Sequence, residues 1–260
     1  MVWNKSTYLA SPVIEVTLAG LAVRSIVASF DVSSSLIEKA DTCILKLADY
    51  GRLFTGSVKR RDQLSIKWGY SGEPLVEIFR GVIRSIGVDD PVIIRGIDYN
   101  TILNSKRVQM TYEDETASGI IRAVMAGTGL KLDIEDCELE IERLPFFNLT
   151  VRECIDAVSE IVRRQTDQQY FDYIRDGIFH WGKKDNSGEA QHSFRMGVNI
   201  IRQEVSSDGL SFLETMVTTM VTTVRHSEII EVENELQFVI KVEYIWEGGG
   251  RTRIWYEHVR

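Results

Sequence analysis

The sequence predicts an α+β protein that is mainly β, with two small β-barrel-like domains, residues 1–105 and 191–260, separated by a small α+β module over residues 106–190. Three observations lead to this reading. Apolar and polar residues alternate with a period of two in many short runs at both ends of the chain, the pattern of half-buried strands. Between residues 116 and 162 the apolar spacing changes to the period of amphipathic helices. Glycine-rich turns separate the short runs, and no long helix is signalled in either terminal region, which favours small barrels or sandwiches.

In the first domain, Val13 to Thr17 opens with alternation and stops at Gly20. A strand over Thr42–Leu47 follows the serine-rich stretch Ser33-Ser34-Ser35. Gln63 to Tyr70 alternates cleanly, with Leu64, Ile66 and Trp68 on one face and Gln63, Ser65 and Lys67 on the other. Glu77 to Ile86 is the next strand, with Gly81 expected as a bulge or bend, and Val92 to Ile97 closes the set.

In the module, Thr116 caps a helix carrying Ile120, Ile121, Val124 and Met125, and Gly127 and Gly129 end it. Thr150-Val151-Arg152-Glu153 has the form of a capping box, after which Val151, Cys154, Ile155, Val158, Ile161 and Val162 share one helical face. Tyr170–Ile174 and Ile178–Trp181 read as a hairpin around Asp176-Gly177. The polar stretch 183–189 is a loop. Beyond it the period of two returns in 198–205, 214–225 and 235–246, and Gly248-Gly249-Gly250 turns the chain into a last strand over Arg251–Tyr256.

Composition bounds the function. With 260 residues, 44% hydrophobic and 26% charged, the chain can bury a core without disulfides or metals. Its formal net charge of −8 argues against sequence-independent binding to nucleic-acid phosphates. The densest basic run, Lys59-Arg60-Arg61, reads as a solvated turn. No stretch approaches the ~20 apolar residues that span a bilayer, so stable membrane binding is not expected. Trp3, Asn4, Lys5 and Ser6 do not begin a secretory signal. Cys43, Cys137 and Cys154 are far apart, as expected of a chain made in a reducing cytoplasm.

Catalytic chemistry finds little footing, and no catalytic, cofactor-binding or metal-binding residue is assigned. Cys154 lies on the apolar face of a helix, where packing explains it, and nothing fixes His180 beside it as a base. His180, His192, His226 and His258 are scattered, without metal-ligand spacing. Asp89-Asp90 precedes a turn and Glu113-Asp114-Glu115 a helix start, where solvation and the helix dipole account for them better than glycosidase chemistry. Gly127-Thr128-Gly129 follows a helix and so does not cradle phosphate. Asn148-Leu149-Thr150 is a glycosylation sequon by pattern only.

The stretch Ala40 to Ile86 joins "DTCILKLAD", "YGRLFTG", "QLSIKWGYSG" and "EIFRGVIRSI", and continues through "VIIRGIDYNTIL" and "MTYEDETASGIIRAVMAGTGL". This order resembles the N-terminal barrel of the phage tail and baseplate hub family, the late control protein D group, which is related to the hub part of type VI secretion spikes. The later "SFRMGVNIIRQEV" is similar to the segment leading into that family's second barrel.

The resemblance implies a homotrimer whose six barrels form a ring adapting a sixfold tail tube to a threefold central spike. Its implied partners are the tail tube protein, the central spike protein, the tape measure protein and other baseplate proteins, with DNA only passing through the lumen. The implied location is a virion tail or baseplate, or an injection-system particle, assembled in the bacterial host cytoplasm. Any spike or cell-wall hydrolase is expected on a separate protein. Trp3, Phe30, Phe54, Trp68, Phe79 and Trp255 are the aromatic candidates for core or interface. Two other readings stay open: a β-rich tail-tip module that binds receptor or carbohydrate, and a small cytosolic hydrolase using Cys154 or a carboxylate pair.

Overall fold

The computed structural model describes residues 11–52, 55–87, 90–183, 189–207 and 212–259. Along the chain run β1 (Pro12–Leu18), β2 (Leu21–Ala22), β3 (Val27–Ser35), β4 (Thr42–Leu47), β5 (Gln63–Tyr70), β6 (Val76–Ile86) and β7 (Val92–Ile97). There follow α1 (Asn100–Ser105), β8 (Arg107–Thr116), α2 (Ala117–Met125), β9 (Lys131–Ile134), β10 (Glu140–Thr150), α3 (Val151–Thr166), β11 (Tyr170–Arg175) and β12 (Ile178–Lys183). The chain then forms β13 (Ser193–Phe194), β14 (Ile200–Ser207), β15 (Phe212–Thr219), β16 (Ile229–Val232), β17 (Glu235–Trp246) and β18 (Gly250–His258). The chain is α+β and mainly β. It divides into two compact units, residues 1–98 with 186–260, and residues 99–185.

The first unit is one 13-stranded sheet with the main path β14-β15-β18-β17-β3-β4-β7-β6-β5-β1-β2, and β16 and β13 added beside the start of β17. The two β-rich regions expected as separate barrels therefore share a sheet, because Lys241–Trp246 of β17 pairs antiparallel with Phe30–Ser35 of β3. Strand β17 pairs with β18 along one edge and with two partners along the other: its first residues pair with β16, its last with β3, and its register against β18 shifts between Val239 and Lys241. Such a bulge bends a strand and raises its twist, which lets one long strand leave one neighbour and join another.

The sheet curls around a single core drawn from both regions. Trp68 of β5 lies five strands from β17 along the main path, yet it meets Tyr244 and Trp246 of β17 edge-on, each at 6.3 Å, and Phe30 of β3 at 5.2 Å. The same closure is seen where Tyr70 Oη donates to the Met220 carbonyl at 3.0 Å and Arg225 donates to the Glu77 carbonyl at 2.9 Å. Gly250 allows this approach, since a Cβ there would stand 2.5 Å from the Trp68 ring.

Gly81 is explained by close packing and is not itself a bulge. A Cβ on it would lie 2.2 Å from the Ile97 carbonyl oxygen of β7. The irregularities of β6 fall three residues to either side, at Ile78 and Arg84, which are skipped in the pairing with β5 and β7. Gly81→Ala is expected to lower stability by about 1–3 kcal/mol, the cost of overpacking where backbone must move. Its denaturant midpoint against the wild type checks this.

In the second unit, β8 and β10 form a two-stranded ribbon, and β11-β12-β9 a three-stranded sheet in which β12 and β9 run parallel. The apolar faces of α2 and α3 form the core with Phe146, Tyr170, Phe179 and Trp181. Trp181 Nε1 donates to Ser159 Oγ at 2.9 Å, which pins β12 to α3.

Both expected caps are present. Thr116 Oγ1 accepts from the Gly119 amide, and at α3 the Glu153 amide donates to Thr150 Oγ1 while the Thr150 amide donates back to Glu153 Oε2 at 2.6 Å. Those backbone and hydroxyl hydrogen bonds from Thr150 hold the Glu153 carboxyl below its ordinary pKa. The stabilisation from that carboxylate is therefore present above the ordinary carboxylate range and is lost as pH falls through the depressed folded value. Thr150→Ala is expected to cost about 1 kcal/mol, read in a urea titration. The hairpin turn is as expected, with Asp176 and Gly177 both at positive φ, 52° and 76°.

Candidate functional site

The residues that could carry chemistry are dispersed or sealed. Cys154 is buried in the α3 face, and burial pushes its thiol up to about 11, far from a resting thiolate. Cys43 is buried and shifted upward for the same reason, and Cys137 is buried and free. His180 is engaged elsewhere: Nδ1 lies 2.8 Å from Asp133 Oδ2, and the ring stacks on Tyr173 at 4.8 Å. His192 approaches Thr223, His226 bonds Ser227 and His258 bonds Gln237, so the four histidines stand in four places. Burial lowers the pKa of His192. Among the described residues no group of three or more His, Cys, Asp or Glu side chains is placed to hold a metal.

Of the other candidates, Asp89 and part of the loop at 183–189 lie outside the described residues, as do Trp3 and Phe54. Thr128 Oγ1 donates to the Met125 carbonyl and closes α2, and the Asn148 carbonyl accepts from Arg107 at 2.6 Å. Phe30, Trp68 and Phe79 are core residues. Trp255 is half-buried on β18 between two cations, Lys241 Nζ at 5.0 Å and the Arg253 guanidinium at 5.6 Å. No described helix is long and apolar enough to cross a membrane.

What the structure offers instead is strand edges with exposed apolar neighbours. The main path of the 13-stranded sheet ends on β14 at one side and β2 at the other. Met196, Val198 and Ile201, at and just before β14, are exposed apolar side chains. Among the described residues the β8–β10 ribbon pairs with no further strand, and it exposes Met110 and Phe147. A strand edge with apolar neighbours is a template for another chain unless a partner covers it. Sequence reasoning missed both features. The ribbon is acidic at one end and carries an unbroken apolar run in β10, and apolar residues beside a strand edge leave no periodic signal.

Most of the chain can be matched in solved structures. The 43 kDa tail protein of prophage MuSo2 from Shewanella oneidensis superposes with a TM-score of 0.74 over 95% of this chain and 97% of that one, at 11% identity. The chain has a phage tail protein fold. A tail protein from Neisseria meningitidis MC58 shares this fold at a TM-score of 0.71 and 12% identity, covering 95% of this chain and 96% of that one. So does the E. coli c3393 protein, described as a component of the type VI secretion system with structural similarity to the T4 phage tail proteins gp27 and gp5, at a TM-score of 0.65 and 9% identity over 90% of this chain and 74% of that one. No protein-family model and no curated protein sequence matches the chain. The fold is thus shared at only 9–12% sequence identity.

Proposed function

We propose that the chain is a structural hub subunit of a phage tail or phage-like contractile injection system, acting without catalysis. Three copies close a ring that adapts a sixfold tail tube to a threefold central spike. The observation that carries this reading is the match over nearly the full length of both chains with a prophage tail protein. The joining of two β-rich regions in one sheet supports it, since each copy would then bring both regions to the ring as one unit. The likeness to a type VI secretion component extends the reading to injection devices.

In this role the partners are two further copies, the tail tube protein and the central spike protein, with tape measure and other baseplate proteins nearby. DNA would pass through the lumen without a stable complex. The particle would be assembled in the bacterial host cytoplasm. Native mass by light scattering at high protein concentration tests the reading. About three times 29.6 kDa is expected, and a single-chain mass overturns the trimer.

A further inference from the structure

The net charge of the chain is concentrated in one stretch. Residues 113–142 hold nine carboxylates against two cations, Arg122 and Lys131. The pairing of Glu140 with Thr116, Ile141 with Glu115 and Arg143 with Glu113 gathers Glu113, Asp114, Glu115, Glu140 and Glu142 at one end of the β8–β10 ribbon. Arg143 reaches Glu113 at 3.5 Å. Asp114, Glu140 and Glu142 are exposed and form no ion pair among the described residues. Further along, the ribbon exposes Phe147 and Met110.

The 13-stranded sheet carries the opposite sign at one place. Arg60 Nε donates to the Arg84 carbonyl at 2.9 Å and the Arg61 amide to the Ile83 carbonyl at 2.8 Å, which lays the Lys59-Arg60-Arg61 turn against β6. Arg95 of β7 stands opposite Ser85, beside Arg84. These five cations are exposed and form no ion pair among the described residues. An apolar side chain adjoins them here too, because the exposed Ile44 of β4 is the cross-strand partner of Arg95.

We propose that these two surfaces meet between copies of the chain, the acidic ribbon end of one seated on the basic β6–β7 face of the next. The inference rests on the ring reading above and names its contact. A second copy fits better than any other occupant, because one docking event neutralises both surfaces and brings Phe147 or Met110 toward Ile44. The contact uses different patches on the two partners, so it repeats head to tail and closes into a ring when the rotation allows. Complementary charge of this kind sets partner choice and encounter rate, and salt screens it.

The test reads native mass of the full chain at low and high salt. Glu140→Lys with Glu142→Lys, and separately Arg84→Glu with Arg95→Glu, remove no ion pair within the chain, and thermal melting checks that each variant is folded. The wild type is expected to show three-chain mass at low salt and to fall toward 29.6 kDa as salt rises. Either reversal alone should give single-chain mass, and the four substitutions together should restore the three-chain mass. The milder pair Glu140→Gln and Glu142→Gln should weaken association in the same direction. A three-chain mass that ignores the reversals, or a fourfold variant that stays dissociated, overturns this contact and leaves the ring reading intact. A wild type that is a single chain under all conditions overturns both.

Discussion

Replacing Trp68 by alanine is expected to cost about 3–5 kcal/mol, a large part of the stability of an ordinary domain. The ring is fully buried and is the largest side chain in the core of the 13-stranded sheet. It touches Phe30 on β3 and Tyr244 and Trp246 on β17, so its loss opens a cavity at the point where the two β-rich regions hold each other. Both regions should therefore unfold in one earlier transition. Trp68→Phe should cost much less, since it keeps most of the packing and removes an indole N–H that has no hydrogen-bond partner among the described residues. Equilibrium urea unfolding of the three proteins decides the matter. An alanine variant within about 1 kcal/mol of wild type would mean that the curl of the sheet does not depend on this ring.

The second large effect is expected in the other unit, at a buried ion pair. Arg152 of α3 donates to Asp172 of β11 and, at 2.5 Å, to Asn100 Oδ1 of α1, and all three residues are buried. The guanidinium thus ties three elements together with groups that would be costly to leave alone. Asp172→Ala should lower stability by about 3–5 kcal/mol, because the buried cation loses its nearest counter-charge and is left facing the exposed Asp156 carboxylate at 3.9 Å. Removing both charges together, as Arg152→Met with Asp172→Leu, should recover most of that loss, since an apolar pair of similar size carries no desolvation cost. A double variant as unstable as the single one would show that the pair itself, and not the orphaned charge, is what matters.

Much of the fold was legible where a strand has one wet and one dry face. Strands β4, β5, β7 and β17 begin and end where alternation begins and ends, and the Thr150–Glu153 box marks the start of α3. Strand β3 was hidden because its inner face ends in serine: Phe30 and Val32 point into the core, but Ser34 continues the same buried row, so Ser33-Ser34-Ser35 shows only as a serine-rich stretch before β4. The β8–β10 ribbon was hidden for a different reason: Val108, Met110 and Tyr112 alternate in β8 but run into Glu113-Asp114-Glu115, and β10 carries the unbroken apolar run Leu144-Pro145-Phe146-Phe147. In the expected strand over 214–225 only the part to Thr219 is extended. Beyond it Arg225 holds the chain through the Thr222 and Val224 carbonyls and the Tyr244 hydroxyl, contacts no local pattern announces. The open strand edges were least legible, because such an edge is defined by what fails to pair with it.

The seam between β3 and β17 also sets a timetable for synthesis. Ser35 waits for Lys241, about 200 residues later in the chain. At ribosomal speeds of about 5–20 residues per second, that interval is roughly 10–40 s. During it the inserted unit over 99–185 can fold on its own local contacts, while β3 presents a bare edge to every other nascent chain nearby. The run of serines that hid this strand in the sequence makes that edge less sticky during the wait.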